Sequence, residues 1–210
     1  MHRLTHKMAA EVRRHRSIQA QLGCLKGKFA GGTVVVVSCG PSLGTVDPAR
    51  LRAGLKGVPA IVVKQAIDVV GDQTDFHCWN PFNVARFGRG APETIRCLVT
   101  EHSGRVVQWN RSDLRFPQVP SEGDLGRSVA QLRNFDDFLL EKTAVRPFGP
   151  GIMYELVLYL ALHLGVSEIL TVGWDIANRS GNNTHFYDRG DDRTYFETGR
   201  TTVAAPTRRR

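Results

Sequence analysis

The tetrapeptide Gly40-Pro41-Ser42-Leu43 combines residue types that can hold a phosphate group. It follows a run of four valines, which predicts a strand buried on both faces, as in a central parallel sheet. Glycine lets the main chain approach a ligand, proline fixes φ, and the serine hydroxyl adds a polar group beside the amides of the turn. Ligands of open α/β sheets bind at such carboxyl ends of strands. The spacing matches neither the Walker loop nor the dinucleotide fingerprint, so an ordinary strand-to-loop turn is an equally good interpretation.

A histidine late in the chain is the candidate for a general base. His185 lies in residues 178–200, a stretch rich in Gly, Asn, Asp and Arg that is typical of a long functional loop. Imidazole titrates near neutral pH and can therefore take a proton from an attacking hydroxyl. A solvated surface histidine is the competing interpretation. Of the other histidines, His163 lies in an apolar segment and is predicted to be structural, whereas the role of His77 is open.

The elements that must position these residues alternate between strand and helix signals, as a doubly wound sheet requires. The predicted strands are residues 33–39, 59–64, 74–79, 94–100 and 167–173. The predicted helices are residues 47–55, 124–141 and 152–164, of which the last is apolar nearly all round and should be buried. We therefore predict one Rossmann-like α/β domain, with a mainly parallel twisted sheet flanked by helices and a C-terminal mobile lid loop.

Length and charge shape the predicted organisation. The 210 residues, 41% of them hydrophobic, suffice for one well-buried core. We expect a basic N-terminal helical arm at residues 1–30, a nucleotide-binding domain at 31–177, and a lid loop with a basic tail at 178–210. The net charge of +8 calls for an anionic partner. The arm could lie on anionic lipid as an amphipathic helix, but its thin apolar stripe favours packing on the domain.

Several partners and compartments are disfavoured by the sequence. No recognisable nucleic-acid module is present and the aromatic residues do not interleave with the basic ones, so no nucleic-acid partner is predicted. The chain has no apolar run of about 18 residues and its start lacks the apolar core of a signal peptide. Its four cysteines are scattered without a CxxC pair, which predicts reduced thiols and no zinc site. We expect a cytoplasmic protein, with a peripheral position at the inner membrane face left open.

Four motifs occur in an order that resembles one enzyme family. They are the turn at residues 40–43, Phe-His-Cys-Trp-Asn-Pro at 76–81, Gly-Pro-Gly at 149–151 before an apolar helix, and Leu-Gly-Val-Ser-Glu-Ile-Leu-Thr-Val-Gly-Trp-Asp at 164–175. In this order, over residues 33–187, the chain resembles the bacterial sialyltransferases of glycosyltransferase family 42. More distantly it is similar to the hydroxymethylpterin pyrophosphokinase-like family. The first resemblance implies transfer of a sialic acid-like sugar from a CMP-activated donor to a glycan hydroxyl, without a metal or other cofactor. One candidate base and no evident nucleophile favour an inverting single displacement.

The same resemblance implies roles for individual residues. It places the turn against the CMP phosphate, two amides and an arginine near the donor, and a base in the late loop. The implied donor-binding residues are Gly40, Pro41, Ser42, Leu43, Gln65, Asn80, Arg146, Gly149 and Asp175, and the implied base is His185. The family holds the leaving phosphate with tyrosines, and this chain has Ala177 at one of those positions. Tyr187 is the predicted catalytic substitute from the late loop, with Tyr195, Arg189 and Arg193 as alternatives.

Two other functions are carried as alternatives. The pyrophosphokinase-like family tends to have Asp where this chain has Asn80, and an amide cannot supply the charge that Mg²⁺ needs. Asp68 and Asp75 remain as carboxylates for a metal in an ATP- and Mg²⁺-dependent enzyme of that kind. The other alternative is a catalytically weak nucleotide-binding module. The predicted partners are a nucleotide sugar and a glycan acceptor, with homo-oligomerisation left open.

Overall fold

A computed structural model describes residues 3–79, 90–100, 113–117, 156–175, 197–198 and 201–202. The predicted helix at residues 124–141 lies outside this part of the chain, as do the site residues Asn80, Arg146, Gly149, His185 and Tyr187. Within it, the six strands of the main sheet are all parallel and run in the order β5-β4-β3-β2-β1-β6. The α/β, Rossmann-like fold class predicted from the sequence is confirmed.

The described elements have the following bounds. The helices are α1 His6–Arg14, α2 Ile18–Leu25, α3 Pro48–Gly54, α4 Ile67–Val70 and α5 Tyr159–His163. The strands of the main sheet are β1 Thr33–Val37, β2 Ala60–Val63, β3 Phe76–Trp79, β4 Ile95–Thr100, β5 Leu114–Pro117 and β6 Glu168–Val172. A separate antiparallel pair consists of β7 Glu197–Thr198 and β8 Thr201–Thr202. Short 3₁₀ turns occupy Pro41–Thr45, Lys64–Ala66 and Gly71–Gln73.

The five predicted strands correspond to β1 to β4 and β6, and helix 47–55 corresponds to α3. Its start follows from Asp47, whose Oδ1 accepts the amides of Ala49 and Arg50 at 2.8 and 2.9 Å. Strand β5 was not predicted. Its four residues, Leu-Arg-Phe-Pro, are too few and too mixed to show a strand period.

Helices cover both faces of the sheet, which explains the run of valines in β1. Val34 and Val36 pack in a core that includes residues of α1, α2 and α5. Val35 and Val37 pack in a second core with residues of β2 and α4. Because successive side chains of a strand point to opposite faces, a strand covered on both sides needs an apolar residue at every position.

The basic N-terminal segment packs on the domain, as the favoured interpretation predicted. Thr5 and Ser17 cap α1 and α2 by accepting the amides of Met8 and Ala20. The apolar side chains of the segment are buried in the first core or pack against it partly exposed. Contact of its basic residues with a membrane stays a prediction. No helix in the described ranges is long and apolar enough to cross a bilayer, and all four cysteines are free thiols in the structure.

The strand order creates a switch point between β1 and β6. From β1 the chain adds β2, β3, β4 and β5 in one direction, and then returns to place β6 on the other side of β1. Connections that leave neighbouring strands in opposite directions open a crevice at the carboxyl ends of those strands, where ligands of such sheets bind. The residues that follow β1 and β6 are therefore candidates for a ligand-binding site.

Candidate ligand-binding site at the carboxyl ends of the strands

The loops after β1 and β6 contact each other through Gly40. Its amide donates to the carbonyl of Gly173 at 2.8 Å, and the amide of Ser38 donates to the carbonyl of Val172 at the same distance. A Cβ on residue 40 would lie 2.5 Å from the carbonyl oxygen of Gly173 and would also collide with the carboxylate of Asp175. Only glycine allows this approach between the two loops.

Asp175 holds the turn in place. Its Oδ2 accepts the amide of Ser42 at 3.0 Å, and its Oδ1 accepts the hydroxyl of the same serine. Partial desolvation by itself would raise the pKa of the exposed Asp175, but the hydrogen bonds from Ser42 lower it overall. The carboxylate therefore stays ionised at neutral pH and fixes the position of Ser42. The two ends of the resemblance, residues 40–43 and Asp175, are thus in direct contact.

The amides of the turn already have acceptors inside the protein. Gly40 donates to Gly173, Ser42 donates to Asp175, and Leu43 donates to the carbonyl of Gly40 at 3.0 Å. Pro41 has no amide hydrogen, and Leu43 is buried. The turn therefore presents a close main-chain surface and the Ser42 hydroxyl, rather than a ring of free amides. An anionic ligand at this edge needs a further donor.

Gln65 lies at the end of β2, the strand next to β1 on the other side. The residue is 4% exposed. Neither Oε1 nor Nε2 of this amide has a hydrogen-bond partner within the described part of the chain. A buried amide without partners destabilises a protein, and such groups in folded proteins call for an explanation. A ligand that pairs with both atoms would provide one.

Between Val63 and Gln65, the main chain of Lys64 is fixed from both neighbouring strands. His77 in β3 donates from Nε2 to the carbonyl of Lys64 at 2.8 Å, and the Cys39 thiol after β1 donates to the carbonyl of Val63 at 3.1 Å. Burial lowers the pKa of His77 to about 4, so the ring is neutral, and it raises the pKa of Cys39 to about 12. His77, whose role the sequence left open, therefore supports the main chain.

The amino ends of the strands form the opposite edge of the sheet, called the amino edge below. Two carboxylates with a structural role lie there. Asp75, just before β3, accepts the amides of Leu4 and Ala60 at 2.9 Å each, and it forms an ion pair with Arg3. Because it lies at the amino end of its strand, Asp75 is not available to a metal at the carboxyl edge. This part of the magnesium alternative is wrong. Asp68 lies exposed on α4, and no cluster of potential metal ligands occurs among the described residues.

Asp113 repeats this arrangement before β5. Its Oδ2 accepts the amide of Arg96 at 2.9 Å, and its Oδ1 accepts Nε of Arg13 at 3.1 Å. Burial would raise the pKa of Asp113, but the hydrogen bonds from Arg96 and Arg13 lower it overall. For Asp75 the balance is the reverse, since burial raises its pKa despite Arg3. Two arginines of the basic segment are thus used inside the fold.

The structure brings part of the sequence-predicted site together. Gly40, Pro41, Ser42 and Leu43 meet Asp175 at the switch point, and Gln65 follows the adjacent strand. His163 is structural as predicted, because its Nε2 contacts the carbonyl of Leu22 at 2.6 Å. Sequence reasoning did not predict that His77 contacts the main chain of Lys64, which directly precedes Gln65 after an apolar strand. Comparison of the chain with protein-family models, with curated proteins and with solved structures gives no match.

Proposed function

We propose that this protein is a metal-independent glycosyltransferase that moves an acidic, sialic acid-like sugar from a CMP-activated donor to a glycan hydroxyl. The observation that carries the proposal is the buried amide of Gln65, which has no partner among the described residues and lies beside a turn that Asp175 holds at the switch point. The motif order that resembles glycosyltransferase family 42 supports it.

The Gln65 amide suits a pyrimidine nucleotide. A carboxamide offers one acceptor and two donor hydrogens, and the cytosine edge offers an amino donor beside a ring-nitrogen acceptor. Two hydrogen bonds to such an edge would satisfy both Oε1 and Nε2. In this proposal Gly40 allows the main chain to approach the donor, and Ser42 is oriented by Asp175 toward it.

The chemical step is a single inverting displacement. His185 removes the proton of the acceptor hydroxyl while that oxygen attacks the anomeric carbon of the donor sugar. The bond from the anomeric carbon to the phosphate oxygen breaks, and CMP leaves with the electron pair. Tyr187 donates a hydrogen bond to the departing phosphate, which stabilises its developing charge. Asn80, Arg146 and Gly149 complete the donor site in this proposal.

The decisive experiment is incubation with CMP-sialic acid and related CMP-sugars in the presence of glycan acceptors. We expect release of CMP that persists after chelation of divalent metals, and binding of CMP by calorimetry. Absence of both CMP release and CMP binding would contradict the proposal. Activity that needs ATP and disappears on chelation would favour the pyrophosphokinase-like alternative. CMP binding without release, unchanged by His185→Ala, would favour a nucleotide-binding module without catalysis.

A matched pair of variants tests the role of Gln65. Gln65→Leu removes a buried amide that has no described partner, so it should leave stability unchanged or increase it. The same change should weaken CMP binding at least tenfold. Gln19→Leu makes the same substitution at an exposed position on α2 and should alter neither property. Unchanged CMP affinity in Gln65→Leu would show that the Gln65 amide does not bind the nucleotide, and the proposal would lose its main support.

A further inference from the structure

Lys64 has an unusual main-chain conformation for its residue type. Its φ of +47° is the only positive φ of a non-glycine residue in the described ranges. The left-handed region is strained for residues with a Cβ, and lysine has no short polar side chain that could stabilise it locally. Strain of this kind persists only where the surroundings impose it, and it is concentrated at functional sites.

The surroundings of Lys64 come from three adjacent strands. The carbonyl of Lys64 accepts from His77, which belongs to β3, and the preceding carbonyl of Val63 accepts from the thiol of Cys39, which follows β1. These contacts fix the peptide groups on both sides of Lys64. The direction in which its side chain leaves the end of β2 is therefore set by the sheet.

The electrostatics of this edge leave a place for a cation. The turn donates its amides to protein acceptors, Gln65 is neutral, and Asp175 adds a negative charge. The side chain of Lys64 is half-buried near Cys39, the residue before Gly40, and burial lowers the pKa of Lys64. An oxyanion beside the ammonium group would oppose this shift. The Cys39 thiol remains protonated at neutral pH and supplies no negative charge. An anionic ligand that reaches Gly40 and Gln65 thus comes near the lysine.

We infer that Lys64 binds the oxyanion of the ligand, and that His77 and Cys39 act as positioning residues by holding its main chain. The oxyanion is either the phosphate of the nucleotide or the carboxylate of the acidic sugar. This inference rests on the proposed function, because it adds a charged contact to the same donor site.

Calorimetry with Lys64→Met separates the charge from the rest of the site. The wild-type protein should bind CMP at least tenfold more tightly than cytidine. In Lys64→Met that preference should fall below threefold, while cytidine affinity stays the same. Lys56→Met, at an exposed position after α3, is the control and should keep the wild-type preference. If Lys64→Met keeps the full preference for both CMP and a CMP-activated acidic sugar, the inference is wrong while the proposed function stands.

If Lys64→Met binds CMP normally but loses the extra affinity for the CMP-activated acidic sugar, the carboxylate is the recognised oxyanion.

A second variant, Lys64→Gly, distinguishes the effect of the charge from that of main-chain strain. Glycine adopts a positive φ without strain, so this variant should fold with equal or greater thermal stability and should still lose the preference for the anion. A Lys64→Gly variant that retains the preference would overturn the inference.

A second measurement does not depend on nucleotide binding. Limited acetylation of the wild-type protein, followed by mass spectrometry, gives the labelling rate of Lys64 relative to Lys56. Inorganic phosphate, CMP or N-acetylneuraminate should slow labelling of Lys64 at least threefold, and the effective compound identifies the oxyanion. Protection by phosphate in a protein that binds no nucleotide would support the lysine site and reject the proposed function. No protection by any of the three would overturn the inference.

Discussion

The two edges of the parallel sheet use the same contact, a carboxylate that accepts a main-chain amide, with different results. At the amino edge, Asp75 and Asp113 are largely buried, and each also pairs with an arginine of the N-terminal segment. At the carboxyl edge, Asp175 is exposed and holds one turn, and the neighbouring amide of Gln65 has no described partner. The two carboxylates of the first edge are thus paired within the protein, whereas Oγ1 of Thr74 beside Asp75 has no described partner. At the second edge Asp175 satisfies the turn, and the group without a described partner is a carboxamide with two donor hydrogens and an acceptor.

The largest expected effect is a difference between the two edges in how much a carboxylate contributes to the free energy of unfolding. Asp75→Ala leaves the amides of Leu4 and Ala60 without their acceptor and Arg3 without its ion pair, so we expect a loss of about 3 kcal/mol. Asp175→Ala removes hydrogen bonds that water can replace, so the loss should stay below about 1 kcal/mol. Urea unfolding of both variants measures the difference. Equal losses would mean that the two edges do not differ in this way.

A glycine pair tests how tightly the loops of the carboxyl edge are packed. Gly173 and Gly57 both have positive φ, +68° and +78°. A Cβ at residue 173 would lie 2.5 Å from the carbonyl oxygen of Ser38, whereas no described atom lies within 4 Å of one at residue 57. Gly57→Ala should therefore cost about 1 kcal/mol from strain alone.

Gly173→Ala should cost about 1 to 3 kcal/mol more than Gly57→Ala, because the main chain of the site must move. It should also weaken ligand binding, which the control should not. Equal unfolding midpoints for the two variants would show that the contact between the loops is not tight.

Whether an element or contact could be predicted from the sequence depends on how far apart its residues lie in the chain. The apolar runs of β1 to β4 and β6 and the Asp-Pro start of α3 are local signals, and they predicted those elements correctly. The contact between Arg3 and Asp75 spans 72 residues and has no local signature. The carbonyl of Lys64 is bonded by His77 from another strand, so nothing in the sequence around Lys64 could predict this contact. For the same reason, the contact between Ser42 and Asp175 became visible only in the fold.

The smallest expected effect is the pH dependence of the stability that Asp113 and Asp75 contribute at the amino edge. The pKa of Asp113 is lowered in the folded protein, so its contribution to stability is present above its ordinary pKa of 3.8 and disappears as the pH falls through the folded value. The pKa of Asp75 is raised, so its contribution has the opposite sign: it is present below 3.8 and is lost as the pH rises through the folded value.

Acidification from pH 7 to pH 3 should therefore cost Asp113→Asn less stability than wild type and cost Asp75→Asn more. Urea unfolding at the two pH values measures these differences. Changes in the same direction for both variants would contradict the assignment of the two pKa shifts.

The most direct test of the central claim is an NMR titration of the isotopically labelled protein with CMP. The claim is that the carboxyl edge binds ligand and the amino edge does not. We predict shifts of the main-chain amide of Ser42 and of the side-chain amide of Gln65, with no change at the amides of Leu4, Ala60 and Arg96. Saturation that leaves Ser42 and Gln65 unchanged, or that shifts the amides of the amino edge instead, would contradict the claim.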